Sequence, residues 1–260
     1  ITKSDGSYLY ITTDLATVLY RQENLPYSRA LYVVDNRQSL HFDQLFKCIK
    51  FFGFNNLEHE HIAYGTLNDI NGNPFKTRDG ETKPLSELFE ETLEYLKSIN
   101  PTLDNDILHQ LTNSVLTYSD LLTNRKTDYK FDIEKFTNIT GKTGLYVQYA
   151  QVRAQRLLAN FNVNKFELSK DLDNKEERLL SQLFLFGYYL NHSISMNEPH
   201  HLANYLYDIS NLFNNFYEDE KILNIKEINK LNNKLFTVNL FIKTSHNAMF
   251  CLGMNPVEKM

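Results

Sequence analysis

The pattern that most restricts the fold is a change of hydrophobic period partway along the chain. Up to about residue 100, short apolar runs alternate with stretches of helical spacing; from about Asp104 the spacing is helical almost throughout. Short runs separated by helices are the rhythm of a parallel sheet with crossover helices, because parallel neighbours need a long connection. An unbroken helical period calls instead for a bundle in which each helix buries one stripe. The predicted fold class is therefore α/β followed by all-α. A chain of 260 residues is long for one compact unit and comfortable for two.

In the first part, Tyr8-Leu9-Tyr10-Ile11-Thr12 reads as a short strand, Thr13-Asp14 as a helix N-cap, and Leu15–Arg21 as the helix it starts, broken at Pro26. Ala30–Asp35 is a continuous apolar run ending in an acid, as a buried parallel strand does at its carboxyl edge. A helix is expected from His41 to Phe52, carrying Phe42, Leu45, Phe46, Ile49 and Phe52, and a third strand over His61–Leu67. An amphipathic helix follows at Pro84–Ile99, with Leu85, Leu88, Phe89, Leu93 and Leu96 on its apolar side. Between them lies Asn71–Glu81, in which turn-formers bracket Lys76, Thr77 and Arg78. A hydroxyl flanked by two cations in a glycine-bounded loop suits phosphate oxygens; the same composition also describes a solvated turn.

Doubly wound sheets gather ligands at the carboxyl ends of their strands. The predicted strand ends carry Tyr10, Asp14, Gln38 and His41. A phenol, a carboxylate and an amide around one crevice suit a planar cation, since a guanidinium presents five donors in a fork. Each residue also has a plainer role open to it: Asp14 as a helix cap, Tyr10 as a strand aromatic, Gln38 as a solvated loop residue and His41 as a structural histidine.

In the second part, residues 101–139 form a helical connector with Leu108, Leu111, Val115 and Leu116 on one face, and Gly141 and Gly144 mark a boundary. The helix Leu145–Leu158 then aligns Tyr146, Tyr149 and Arg153 on one side. Two phenols and an arginine in line can stack on unpaired bases and pair with phosphate, or can serve as bundle core. Further helices are expected at Glu176–Ser193, Pro199–Phe216 and Lys226–Gly253, with Lys243 and His246 on a solvated face of the last. The stripes Leu179, Leu183, Phe186 and Tyr189, and Leu202, Leu206, Ile209 and Phe213, read as core. The domains expected are 1–100, 101–139 and 140–260.

Charge and cysteine content narrow the function classes. The chain has 27 Lys and Arg against 32 Asp and Glu, a net charge of −5, so any nucleic-acid contact must come from a local patch. No apolar run approaches the roughly 18 residues needed to span a bilayer, and the start is not signal-like. Cys48 and Cys251 are too few for a thiolate metal site or a disulfide framework. A cytoplasmic monomer without a structural metal is expected.

Several segments together resemble the arginyl-tRNA synthetase family. Lys3-Ser4-Asp5-Gly6 through Tyr10, Thr12, Asp14 and Ala16 is similar to its K-S-D-G-x-x-x-Y-x-T-R-D-x-A stretch, with Thr13 in place of the arginine. Gln38-Ser39-Leu40-His41 resembles the recurrent Q-x-x-H, and Phe75-Lys76-Thr77-Arg78-Asp79-Gly80 resembles a divergent K-M-S-K-S loop. Tyr118-Ser119-Asp120-Leu121, Asn124-Arg125 and Asp128-Tyr129-Lys130-Phe131-Asp132 match the family linker in order. Gly141, Thr143, Tyr146, Gln148-Tyr149-Ala150 and Arg153 are similar to G-x-T-x-x-Y-x-Q-Y-A-x-x-R, which opens the anticodon-binding domain. Glu198-Pro199-His200-His201-Leu202 and the terminal Asn255–Met260 also fit.

The resemblance implies a class I ligase that joins L-arginine to tRNA-Arg through an arginyl-adenylate, using ATP with Mg2+. It implies that Tyr10, Asp14 and Gln38 hold the amino acid, that His41 lies beside the nucleotide, and that Lys76, Thr77 and Arg78 close over ATP. It further implies that Tyr146, Tyr149, Arg153, Tyr217 and Met260 lie near the anticodon. Phe75 stands where the first lysine of the loop usually is. The H-I-G-H signature of class I enzymes is absent, and His59-Glu60-His61 lacks its glycine. The chain is accordingly expected to be the carboxyl-terminal portion of a longer enzyme and inactive alone; the alternative is a split subunit or a non-catalytic tRNA-binding relative.

Overall fold

The computed structural model describes residues 2–25, 27–54, 57–73, 83–161, 168–169, 171–219 and 222–260. They fall into two compact units, one of residues up to Thr66 together with Arg125–Tyr129, the other of Leu67–Asn124 and Lys130–Met260.

The first unit is a βαβ arrangement with a preceding helix. Helix α1 (Tyr10–Asn24) leads to strand β1 (Arg29–Asp35), helix α2 (Ser39–Phe51) and strand β2 (Glu58–Tyr64). The strands run parallel, with Arg29 opposite Glu58 and Asp35 opposite Tyr64. Helices α1 and α2 bury Val18, Phe42, Leu45 and Ile49 against Tyr32 and Val34, alternate residues of β1. The intervening Leu31 and Val33 are 46% and 66% exposed. The expected burial of β1 on both faces is thus replaced by alternation, because both helices cover the same side. Residues 125–129 are sewn to the end of β2: an Arg125 guanidinium nitrogen donates to the Ala63 carbonyl at 2.5 Å, and the Thr66 N–H donates to Asp128 Oδ1 at 2.6 Å.

Three expectations for this unit are overturned. Tyr8–Thr12 is not a strand: only Tyr8 makes a bridge, to Thr2, and the helix already begins at Tyr10. Ile11, Leu15 and Val18 recur at helical spacing and pack on α2, and that burial outweighs the β-propensity of the tyrosine-rich run. Asp14 therefore lies inside α1 and is not its cap; the N-cap is Leu9, which makes no side-chain capping bond. The third strand lies at Glu58–Tyr64, three residues earlier than predicted.

The second unit is a helical assembly of α3 (Leu85–Ile99), α4 (Asn105–Leu121), α5 (Ile133–Phe136), α6 (Gly144–Leu158), α7 (Asn174–Leu183), α8 (Phe186–Met196), α9 (His200–Asp219) and α10 (Ile228–Cys251). Helix α6 packs on α4, α9 and α10. The core includes Leu179, Leu183, Leu202, Leu206, Ile209 and Phe213 of the predicted stripes, with Phe186 and Tyr189 packed against it partly buried; Val147, Ala150, Ala154 and Phe241 join it, and the Phe213 and Phe241 rings stack 4.2 Å apart. The expected single helix Glu176–Ser193 is two helices. At the break the buried Tyr205 hydroxyl donates to the carbonyls of Gln182 at 3.1 Å and Leu183 at 3.3 Å, satisfying groups that a continuous helix would have bonded itself. No helix among the described residues is long and apolar enough to cross a membrane.

Polar groups inside this unit are paired. Gln148 donates to Ser114 Oγ at 2.8 Å and to the Asn255 carbonyl at 2.7 Å, and accepts from the Val257 N–H at 3.0 Å, which fastens the last residues to α6. Asp173 and Glu176 form a reciprocal cap on α7. Both carboxylates face the Lys234 ammonium, which is 2% exposed and also lies over the Phe216 ring. Burial pushes Glu176 upward; for Asp173 the bonds from Lys234 and the Glu176 N–H outweigh burial and hold it below the usual carboxylate range.

Two stability changes are expected. A methyl group at Gly144 would sit 2.2 Å from the Ser114 carbonyl oxygen, so α4 and α6 must separate. The gain of about 1 kcal/mol in helix propensity is outweighed, and Gly144→Ala should lower the stability of this unit by about 1–3 kcal/mol net; unchanged denaturant unfolding would show that the helices do not meet this closely. Lys234→Ala strands Glu176 without its counter-charge and should cost about 3–5 kcal/mol, whereas a loss below about 1 kcal/mol would mean that solvent already screens the pair.

Candidate functional site

Each unit holds its own constellation. In the first, Tyr10 opens α1 and Asp14 follows one turn later on the same side, since residues four apart align on a helix. Gln38 ends a short 3-10 turn (Asn36–Gln38) that follows β1 and is the N-cap of α2; His41 lies in the first turn of that helix. His41 Nε2 donates to Asp14 Oδ2 at 2.7 Å, and its ring meets the edge of Phe42. The structure thus joins Asp14 and His41 directly, at the carboxyl end of β1. Tyr10 is 84% exposed, and Gln38 is exposed, so both stand in solvent beside that pair.

The same strand end carries Asp35, which the sequence reading treated only as the last residue of its run. It accepts from the Arg37 N–H at 2.7 Å and from two guanidinium nitrogens of Arg37 at 2.9 and 2.8 Å. Those bonds hold its carboxyl below the usual range. His59 and His61 belong to β2 and pack against β1 and α2: His61 Nε2 donates to the Val34 carbonyl at 2.9 Å and its ring stacks on Phe42 at 4.4 Å, while His59 Nδ1 bonds the Tyr32 hydroxyl at 3.2 Å. Lys76, Thr77 and Arg78 lie outside the described residues. The described start of that segment is a turn, with the Gly72 N–H donating to the Asp69 carbonyl at 2.9 Å and Gly72 at φ +88°, a conformation that favours glycine.

In the second unit the predicted aromatic row is assembled by α6 and α9. The Arg153 guanidinium lies 4.7 Å from the ring centres of both Tyr149 and Tyr217. It donates to the Tyr149 hydroxyl at 2.8 Å, to Asn214 Oδ1 at 3.0 Å and to Glu218 Oε1 at 3.5 Å. Tyr146 packs on Tyr207 with ring centres 5.3 Å apart and donates to Asn211 Oδ1 at 3.3 Å; burial pushes its phenol pKa upward. Lys142 donates to Asn204 Oδ1 at 2.7 Å and lies over the Tyr207 ring. Met260 is one turn farther along α6, where its carbonyl accepts from Arg156 at 3.4 Å. The structure therefore unites Tyr146, Tyr149, Arg153 and Tyr217 and places Met260 beyond them.

Asn204, Tyr207, Asn211, Asn214 and Glu218 are the residues the sequence reading missed here. Their signal was available, since they recur every three or four positions on α9, opposite the apolar stripe of Leu202, Leu206, Ile209 and Phe213. Together the two helices offer ring faces, side-chain amides and, in Arg153, a fixed cation. Such a surface accepts flat, unpaired bases, because stacking needs only a π-face and the amides can bond base edges.

Comparison with known proteins gives a family match for each part of the chain. Residues 1–133 match the family model described as tRNA synthetases class I (R), catalytic domain, and residues 147–260 match the DALR anticodon binding domain. An arginine–tRNA ligase of Alcanivorax borkumensis is 36% identical and one of Pseudomonas fluorescens 37% identical, each alignment covering 100% of this chain and 47% of the relative. The chain thus spans about half the length of the curated relatives it matches. The arginyl-tRNA synthetase of Thermus thermophilus superposes with a TM-score of 0.87 at 21% identity, over 100% of this chain and 50% of that one. The Plasmodium falciparum arginyl-tRNA synthetase gives 0.83 at 25% identity, over 100% and 46%. With its catalytic-domain match covering more than half of the sequence, the chain belongs to the class I arginyl-tRNA synthetase family.

Proposed function

We propose that this chain supplies the arginine-recognising end of the catalytic sheet and the anticodon-reading domain of a cytoplasmic, monomeric arginine–tRNA ligase. In this reading residues 1–100 are the second half of the catalytic domain, 101–139 the connector and 140–260 the anticodon domain. The observation that carries it is the carboxylate of Asp14, held by His41 at the carboxyl end of a parallel strand.

A carboxylate accepts at both oxygens, so the bond from His41 to Oδ2 leaves capacity for a forked cation. The guanidinium of arginine is such a cation, and a bidentate pair fixes its plane as well as its charge. Tyr10, one turn away, offers a phenol to the same group, and the Gln38 amide can hold the substrate's amine and carboxylate end. ATP with Mg2+ is the second substrate. The arginine carboxylate attacks its α-phosphorus, pyrophosphate leaves, and the adenylate then transfers its acyl group to a terminal hydroxyl of tRNA-Arg. Lys76 and Arg78 are assigned to the charge that moves onto pyrophosphate, with Thr77 between them and His41 on the nucleotide side. On the helical unit, Tyr146, Tyr149, Arg153 and Tyr217 are assigned to anticodon bases, with Met260 at the edge of that face.

Two measurements on the full-length protein test this reading. Asp14→Ala should weaken arginine by about 3–5 kcal/mol in arginine-dependent pyrophosphate exchange while ATP binding persists; wild-type affinity for arginine would overturn the role of the carboxylate. Tyr149→Ala removes a ring and also releases Arg153, and should weaken tRNA by about 1–3 kcal/mol with ATP binding intact. Full tRNA affinity in that variant would assign Tyr149 to packing alone.

A further inference from the structure

The turn between α8 and α9 gathers side chains that neither tRNA nor arginine recognition uses. Helix α8 ends at Asn197 in the left-handed conformation, with φ at +51°, and the Glu198 N–H folds back onto the Ser193 carbonyl at 3.0 Å. Pro199 comes just before α9, whose first two residues are His200 and His201. Their imidazole centres are 4.0 Å apart, and His201 Nε2 meets Glu198 Oε2 at 3.2 Å. From α8, His192 lies against His201 with ring centres 4.4 Å apart.

We propose that Glu198, His200 and His201 form a binding site for a single divalent transition-metal ion of the zinc class, a clip on the turn between α8 and α9. One ligand atom from each residue lies within 4.8 Å of the other two. Ligands around a tetrahedral zinc ion, at 2.0–2.2 Å from the metal, stand roughly 3.4 Å apart. Two imidazoles with one carboxylate select zinc, cobalt, nickel or copper over magnesium and calcium, which take oxygen ligands.

A hydrogen-bonded His201–Glu198 pair alone would account for only part of the cluster. His200 Nδ1 is buried and has no hydrogen-bond partner among the described residues. A buried lone pair or N–H without a partner is costly, and a metal ion satisfies a lone pair. A supporting shell is present too. The Asn124 side chain bonds the Glu198 carboxylate, the kind of outer contact that orients a metal ligand. All three residues are half-buried, so an ion can enter from solvent. Because the ligands span the turn and the first residues of α9, a bound ion would hold the start of the helix that carries Asn204 to Tyr217.

The test is zinc titration of the chelator-stripped, full-length protein by calorimetry, with magnesium as the comparison ion. One zinc ion per chain should be lost, or weakened at least about tenfold, in each of Glu198→Gln, His200→Asn and His201→Asn. His246→Asn, an exposed histidine of α10, should bind as the wild type does. Zinc should also raise the thermal midpoint of the wild type and leave that of the variants unmoved. If a variant fails to fold, X-ray absorption of the zinc-loaded wild type decides, since the site requires two imidazole ligands in the first coordination shell. Zinc binding equal in all four variants, zinc no tighter than magnesium, or a coordination shell without imidazole would each overturn the proposal.

Discussion

Helix α6 has to be core on three sides and to present a half-buried aromatic and arginine row on the fourth, and the helical unit depends on its meeting both demands. On the inner sides it meets α4, α9 and α10, at α4 so closely that residue 144 has no room for a side chain. It brings two glutamines into the interior, where a buried amide without partners would cost about as much as several apolar contacts contribute. Gln148 resolves this by binding Ser114 and the terminal residues, and Gln151 by binding the Ile242 carbonyl and the Ser245 hydroxyl. These bonds also fix the rotation of α6 about its axis. With the glutamines locked inward, Tyr146, Tyr149 and Arg153 have one direction left.

The first unit solves a related problem with fewer resources. Two parallel strands and two helices give a small core, and a parallel pair is slightly the weaker kind of ladder. Aromatic packing among Tyr32, Phe42 and Phe46, with both histidines of β2 against it, supplies much of the cohesion. The polar groups at the strand ends are tied down locally, Asp35 by Arg37 and Asp14 by His41. A carboxylate already oriented by a neighbour loses little rotamer freedom when a ligand arrives.

Much of this was legible in the sequence, for identifiable reasons. The stripes of α4, α6, α9 and α10 are long and regular, so element type followed from period alone, and the aromatic row on α6 followed from its spacing. Misreadings occurred where two signals competed. Tyr8 to Thr12 has strand composition, but Ile11, Leu15 and Val18 set a helical stripe that runs through it. The break at Phe184 could not be seen, because what stabilises it is the Tyr205 hydroxyl from α9, 22 and 23 residues from the carbonyls it bonds. The capping role of Asp14 failed with the strand: the same stripe starts the helix at Tyr10 and leaves Asp14 inside its second turn. Arg153 was foreseen as a cation on a face, but not that Asn214 and Glu218 would hold it.

That last arrangement has a consequence for any RNA seated there. A guanidinium already facing a glutamate neutralises little phosphate charge, so few counterions are released when a loop binds. Contacts made through this arginine would therefore rest on ring stacking and amide geometry, and vary only gently with ionic strength. Discrimination would then persist at salt concentrations that strip a basic groove of its ligand.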